Sequence, residues 1–326
     1  MFLISNGKAI KHEATNFADL QLREEDIEEI LRKNIDMICD EEESMLIVGK
    51  QVRNAKHGIS DLTAVDNKGN IVLIEIKRDR KDIEGRKEAF EFQAIRYAAS
   101  YATIEDSDDL VNKIYAPYIE KYQDEFKKEH LTSSEIGSRK LNEFLQVNGA
   151  GDNFNKKQRI VLAASDFDEQ TLSAVAWLNS NNVDISCYKL IPYKIDDNLY
   201  IDIEKLLPVT TYKDYYVNFL DGSLNSSRPS KGITRRVLPK IGDMLEWGIV
   251  KPGDIITAKG RRDEAILQED GTVQVNGENM SMQKWLKDLF GWSSIQTYVF
   301  AVHKETGKTL SEMREEYMES EILKED

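Results

Sequence analysis

The stretch "GISDLTAVDNKGNIVLIEIKRDR", residues 58–80, carries the fold. Two apolar-rich runs flank "DNKGN". A three-residue loop of Asn67, Lys68 and Gly69 puts glycine at the left-handed position that such hairpins need. Counting outward from Asp66 and Asn70, Val65 faces Ile71, Thr63 faces Leu73, and Asp61 faces Glu75. Side chains alternate along a strand, so Asp61, Glu75 and Lys77 share one face. The other face carries Leu62, Ala64, Val72, Ile74 and Ile76, a core surface.

Two carboxylates directly across a ladder repel. Something cationic belongs between them. Lys77 is one choice. A hard divalent ion is the other, because Mg²⁺ takes oxygen ligands together with waters and substrate phosphates. Such an ion lowers the pKa of a bound water and stabilises charge on a phosphate under attack. Lys77, two residues on and on the same face, is placed to steer or deprotonate that water. The competing reading is a solvated strand face. Against it, "IVLIEIKR" is apolar on both sides, which favours a polar pair in a cleft at the strand's end.

The flanks extend the pattern. "EEDIEEILRKNIDM", residues 24–37, spaces Ile27, Ile30, Leu31 and Ile35 as a helix, with acids in its first turn as the helix dipole favours. "MLIVGKQV" reads as a strand and "RKEAFEFQAIRYAASYA" as a helix. Residues 104–150 read as a charged helical insertion. The strand "QRIVLAAS", the amphipathic helix "DEQTLSAVAWLNSNN" and the strand "VDISCYKLIPYKI" then form a parallel α/β unit.

Asp61 followed by Glu75-Ile76-Lys77 at the end of the next strand resembles the PD-(D/E)XK nuclease superfamily, in a RecB-like, restriction-endonuclease-like branch. The resemblance covers about residues 20–208. Ser60 stands where the family's proline is expected. What it implies is a mixed α/β sheet flanked by helices and Mg²⁺-dependent phosphodiester hydrolysis, with Mn²⁺ able to substitute. Asp61, Glu75 and the Ile76 carbonyl would hold the metal. A carboxylate from the preceding helix joins them, Glu28 by position with Glu29 a close rival. Lys77 would position the nucleophile. Gln93 and Tyr97, four apart on one helical face, would orient the site or touch nucleic acid. Phe92 and Ala98 are expected to pack.

Composition shifts near residue 221, where "DGSLNSSRPSKG" reads as a linker. From 225 to 262 nine Lys or Arg stand against three acids. The "G-hydrophobic-KPGD" turn, "KG" strand, "DG" hairpin, short helix and final "GKTLSEMR" are similar to the RAMA domain, a module associated with restriction enzymes and adenine methylases. That resemblance implies a small α+β domain that binds nucleic acid, including modified DNA. Arg235, Arg236, Lys259, Arg261 and Arg262 would contact phosphates. Trp247, Trp285, Trp292 or Tyr298 would stack on bases, with a core role the first reading for Trp285. The expected division is a nuclease-like domain at 1–221, a RAMA-like module at 222–318 and a charged, frayed tail at 319–326.

The 326 residues carry a formal charge of −14, which argues against coating nucleic acid by bulk charge and leaves room for a local basic groove. Cys39 and Cys187 lie far apart, without disulfide or zinc spacing. His12, His130 and His303 have no metal-ligand spacing, and His57 reads as a surface-loop residue. The apolar start is too short for a signal peptide and no run spans a bilayer, so a cytoplasmic, non-membrane protein is expected. The functional expectation is a metal-dependent endodeoxyribonuclease in restriction or phage defence. Cleaving both strands needs two sites, so a homodimer is expected with it. Two other classes stand beside it: a non-cleaving nucleic-acid-binding or regulatory protein on the same fold, and an interaction protein whose acidic surface recruits a partner.

Overall fold

The computed structural model describes residues 1–54, 58–84, 88–126, 130–209 and 239–325. It divides into two units, Met1–Ile38 with Leu46–Ile233, and Cys39–Met45 with Thr234–Asp326. The expected boundary at 221/222 lies outside the described residues.

The first unit opens on a hairpin of β1 (Phe2–Ser5) and β2 (Lys8–Lys11). Next come α1 (Glu24–Lys33), a 3-10 turn at Ile35–Ile38, β3 (Met45–Arg53), β4 (Ile59–Asp66) and β5 (Ile71–Lys77). The helices α2 (Arg80–Glu84) and α3 (Phe90–Tyr101) follow. The insertion holds α4 (Ser107–Leu110), a π-helical turn at Val111–Tyr115, α5 (Ala116–Lys121) and α6 (Ser133–Val147). The unit's last described elements are β6 (Gln158–Ala164), α7 (Glu169–Ser180), β7 (Ile185–Ile195) and β8 (Asn198–Leu207).

The large sheet runs β3-β4-β5-β6-β7-β8. The β4–β5 and β7–β8 pairs are antiparallel, while β5–β6 and β6–β7 are parallel. The protein is therefore α/β, with a mixed sheet flanked by helices. The β4–β5 register pairs Leu62 with Ile74, Thr63 with Leu73, Ala64 with Val72 and Val65 with Ile71, as the loop length requires. Gly69 takes φ +84°, and the Asp66 carboxylate accepts from the backbone N–H of Lys68 and Asn70, which closes the loop. α1 packs on β4 and β5, and α3 on β5 and β6. Every residue of β5 is buried, so the solvated-face alternative fails: Glu75 is 0 % and Lys77 1 % exposed.

The second unit contains α8 (Ile241–Glu246), β9 (Ile255–Ala258), β10 (Glu264–Leu267), β11 (Val273–Val275), β12 (Glu278–Met280), α9 (Met282–Phe290), α10 (Thr297–Phe300), β13 (Ala301–His303) and α11 (Leu310–Glu325). Its antiparallel sheet runs β12-β11-β10-β9-β13. Phe290, Trp292 and Phe300 form a buried aromatic cluster with centroids 4.8–5.3 Å apart. α11 runs past residue 318, where a frayed tail was expected. Residues 39–45 join this unit from far up the chain. The Met45 N–H donates to the Ser294 carbonyl, and the Ser293 and Ser294 N–H groups donate to the Met45 carbonyl. The Gln296 N–H donates to Ser44 Oγ at 2.9 Å. Among the described residues, no helix is long and apolar enough to cross a membrane.

Candidate active site

The end of the β4–β5 hairpin meets α1, and acids from both converge. Glu24, Glu28 and Asp61 each present a carboxylate oxygen, all three within 4.8 Å of one another. Glu24 and Glu28 are four apart, so α1 sets them on one face. Asp61 is fixed differently. Its Oδ2 accepts from the Ile76 N–H at 2.7 Å, a side-chain bond just beyond the last paired rung of the ladder.

Lys77 lies against this group. Its Nζ donates to Glu24 Oε1 at 2.8 Å and to the Ile76 carbonyl, and stands 3.8 Å from Asp61 Oδ2. The ring of Phe90 covers it at 5.5 Å. Glu75 does not join the three-carboxylate group. Gln93 Nε2 donates to Glu75 Oε2 at 3.4 Å and to the Tyr97 hydroxyl at 3.2 Å. Tyr97, expected at nucleic acid, is buried. A Cβ at Gly58 would sit 2.2 Å from the Tyr97 ring, so the chain passes that ring at a separation only glycine allows. Ala98 is buried as expected, whereas Phe92 is exposed rather than packed.

The choice between adjacent glutamates is made by their surroundings. Glu28 is buried at 2 % exposure and receives Gln51 Nε2 at 3.1 Å, with Lys50 Nζ at 3.8 Å. Burial, reinforced by the Asp61 charge, pushes its carboxyl up to about 7. Glu29 turns away. It accepts from Arg32 at 2.7 Å and from Lys50 at 2.9 Å, and hydrogen bonding to Arg32 is the main reason that its carboxyl is held down at about 2.

Glu24, Gln51 and Tyr101 were not foreseen as site residues. Glu24 sits in the acidic first turn, where the helix dipole already accounts for an acid. Gln51 takes φ +53° within β3, a conformation that costs a non-glycine residue, and its amide is aimed at Glu28. Ser60 shares a 2.6 Å hydrogen bond with the Tyr101 hydroxyl, as does Thr63. Burial pushes Tyr101 up to about 12, so it is a neutral bridge between those hydroxyls.

In the second unit, Lys259, Arg261 and Arg262 fall on the β9–β10 loop. Lys259 and Arg262 are exposed, and the Arg261 guanidinium lies 4.4 Å from the Phe290 ring centroid. Arg235 and Arg236 lie outside the described residues, as does His57. Trp285, Trp292 and Tyr298 are buried, so they are core. Trp247 is 43 % exposed and stacks on Tyr317 at 5.2 Å. No family model and no curated protein matches the chain.

Proposed function

We propose that the first unit is a divalent-metal-dependent nuclease that hydrolyses DNA phosphodiester bonds. The observation that supports it best is the convergence of Glu24, Glu28 and Asp61 beside the buried Lys77. The donor set is all oxygen and anionic, which fits Mg²⁺ or Mn²⁺ and suits soft metals poorly. The Lys77 ammonium already marks the place as one where positive charge is stabilised. Glu24, Glu28 and Asp61 would hold the ion, with the Ile76 carbonyl within the same group. Once bound, the ion supplies charge stabilisation at phosphate and an acidified water.

The chain's own residues do the rest. The Ile76 N–H fixes the Asp61 carboxylate. Gln93 orients the Glu75 carboxylate and is itself steadied by Tyr97. Lys77 brings a positive charge to the reacting phosphate. The second unit delivers the substrate through Lys259, Arg261 and Arg262, with Arg235 and Arg236. A restriction or phage-defence setting follows by analogy with the domain pairing.

Purified protein incubated with plasmid, linear, single-stranded and modified DNA in Mg²⁺, Mn²⁺ or EDTA tests this. Cleavage is expected with metal only, falling about 100-fold or more in Asp61→Asn and Glu28→Gln. Cleavage that survives both substitutions overturns the site. The Lys77–Glu24 pair favours one second reading, a non-cleaving binding protein in which lysine is the permanent counter-ion. Salt-sensitive DNA binding without cleavage in any metal would support that reading instead.

A further inference from the structure

Lys77 Nζ takes oxygens from the same small group that would hold the metal. Glu24 Oε1 accepts from it at 2.8 Å, the Ile76 carbonyl accepts from it, and Asp61 Oδ2 lies 3.8 Å away. The lysine is 1 % exposed and capped by Phe90, so its ammonium is held there by these oxygens and not by water. A cation that takes Glu24, Asp61 and the Ile76 carbonyl would meet an ammonium already bound to two of them. Coulomb repulsion between two cations a few ångströms apart in a buried site is large.

We propose that Lys77 is the resident counter-ion of this site, and that a divalent cation binds by displacing the ammonium from Glu24 and the Ile76 carbonyl. This rests on the reading of the three carboxylates as metal ligands. Lysine-for-metal exchange gives the site two roles for one residue. Without metal, Lys77 keeps the clustered acids from repelling one another. With metal, the released ammonium is free to meet the substrate phosphate. The exchange makes loading of the site the step that arms the lysine.

The prediction is contrary to what loss of a site residue ordinarily does: removing Lys77 tightens metal binding. Calorimetric titration of the full chain with Mn²⁺, and separately with Ca²⁺, reads this without reference to cleavage. Lys77→Gln, which keeps a hydrogen-bond donor, and Lys77→Met are expected to bind Mn²⁺ roughly tenfold more tightly than wild type. Lys50→Gln is the control for general charge, because Lys50 Nζ stands 3.8 Å from Glu28 and bonds Glu29, which lies outside the three carboxylates, at 2.9 Å. It is expected to change affinity much less. Unchanged or weaker binding in both Lys77 variants overturns the exchange, and so does equal tightening in Lys50→Gln. The outcomes separate the two ideas. Tightened binding without DNA cleavage by wild type sinks the nuclease reading alone. Metal-dependent cleavage by wild type with unchanged affinity in the variants sinks the exchange alone. An absence of Mn²⁺ binding in every form overturns both.

Discussion

At Glu28, burial and the nearby Asp61 carboxylate raise the acid to about 7, while at Glu29 the Arg32 guanidinium and Lys50 hold it near 2. The signs of their stability effects are therefore opposite. Glu28 binds its proton more tightly in the folded state, so its contribution is complete below the ordinary value of 4.5 and is lost as pH rises through about 7. Glu29 contributes above 4.5 and loses that contribution as pH falls towards 2. Urea unfolding in EDTA is expected to show wild-type stability declining across that neutral window, with the decline flattened in Glu28→Gln. An unaltered slope in that variant would mean that Glu28 is not the titrating group. Both glutamates were visible in the sequence, but helix phase alone does not tell adjacent residues apart. The separation comes from Arg32 and Lys50 on one side and Asp61 on the other, partners that only tertiary structure supplies. Glu24 was hidden for another reason: an acid in a first helical turn has a sufficient local explanation.

At the scale of the element, the β4–β5 hairpin was legible because a loop of fixed length dictates register. Gly69 is where that loop is most constrained. Its φ of +84° disfavours any side chain, and a Cβ there would lie 2.9 Å from the Ala150 carbonyl. Gly69→Ala is expected to lose about 2 kcal/mol or more, read by chemical denaturation. Gly58→Ala should behave differently. Its Cβ would collide with the Tyr97 ring, which steadies Gln93. The expected result is a fall in cleavage rate larger than the fall in stability alone explains, measured well below the melting temperature. Other elements were harder to see. The β1–β2 hairpin carries an Asn6-Gly7 turn signal, but its four-residue strands show apolar residues on both faces and no core stripe. β8 is a largely exposed edge strand, so burial never imposed a readable pattern on it. Nothing in the residue type announces that Gln51 takes a left-handed backbone.

At the scale of the whole molecule, the C-terminal unit is discontinuous in sequence. Arg314 on α11 is fully buried, stacked 4.2 Å from the Tyr298 ring centroid, with Glu41 and Glu42 at 3.7 and 3.8 Å. Composition marks where the chain changes character near residue 221, but it has no means of marking seven residues that belong with a unit two hundred positions later. Arg314→Ala is expected to destabilise this unit by about 2–4 kcal/mol through the missing ring stacking and the cavity left behind, read by hydrogen exchange at residues 293–303. DNA binding offers a separate check in the full chain. Neutralising Lys259, Arg261 and Arg262 together is expected to weaken binding and to lower the salt slope by about 0.9 for each phosphate that these side chains neutralise in the wild type. A slope equal to that of wild type would remove this loop from the DNA surface.

The strap formed by residues 39–45 also sets a timetable. Ser44 and Gln296, which share a hydrogen bond, are 252 residues apart. At synthesis rates of about 5–20 residues per second, roughly 10–50 s separate their emergence from the ribosome. Through that interval the strap's backbone groups wait for partners that do not yet exist, although the sheet beginning at β3 is already being made. Transplanting the C-terminal unit onto another protein would therefore require two pieces of chain, and a graft that begins at residue 234 would leave behind the segment that Ser294 and Gln296 close upon.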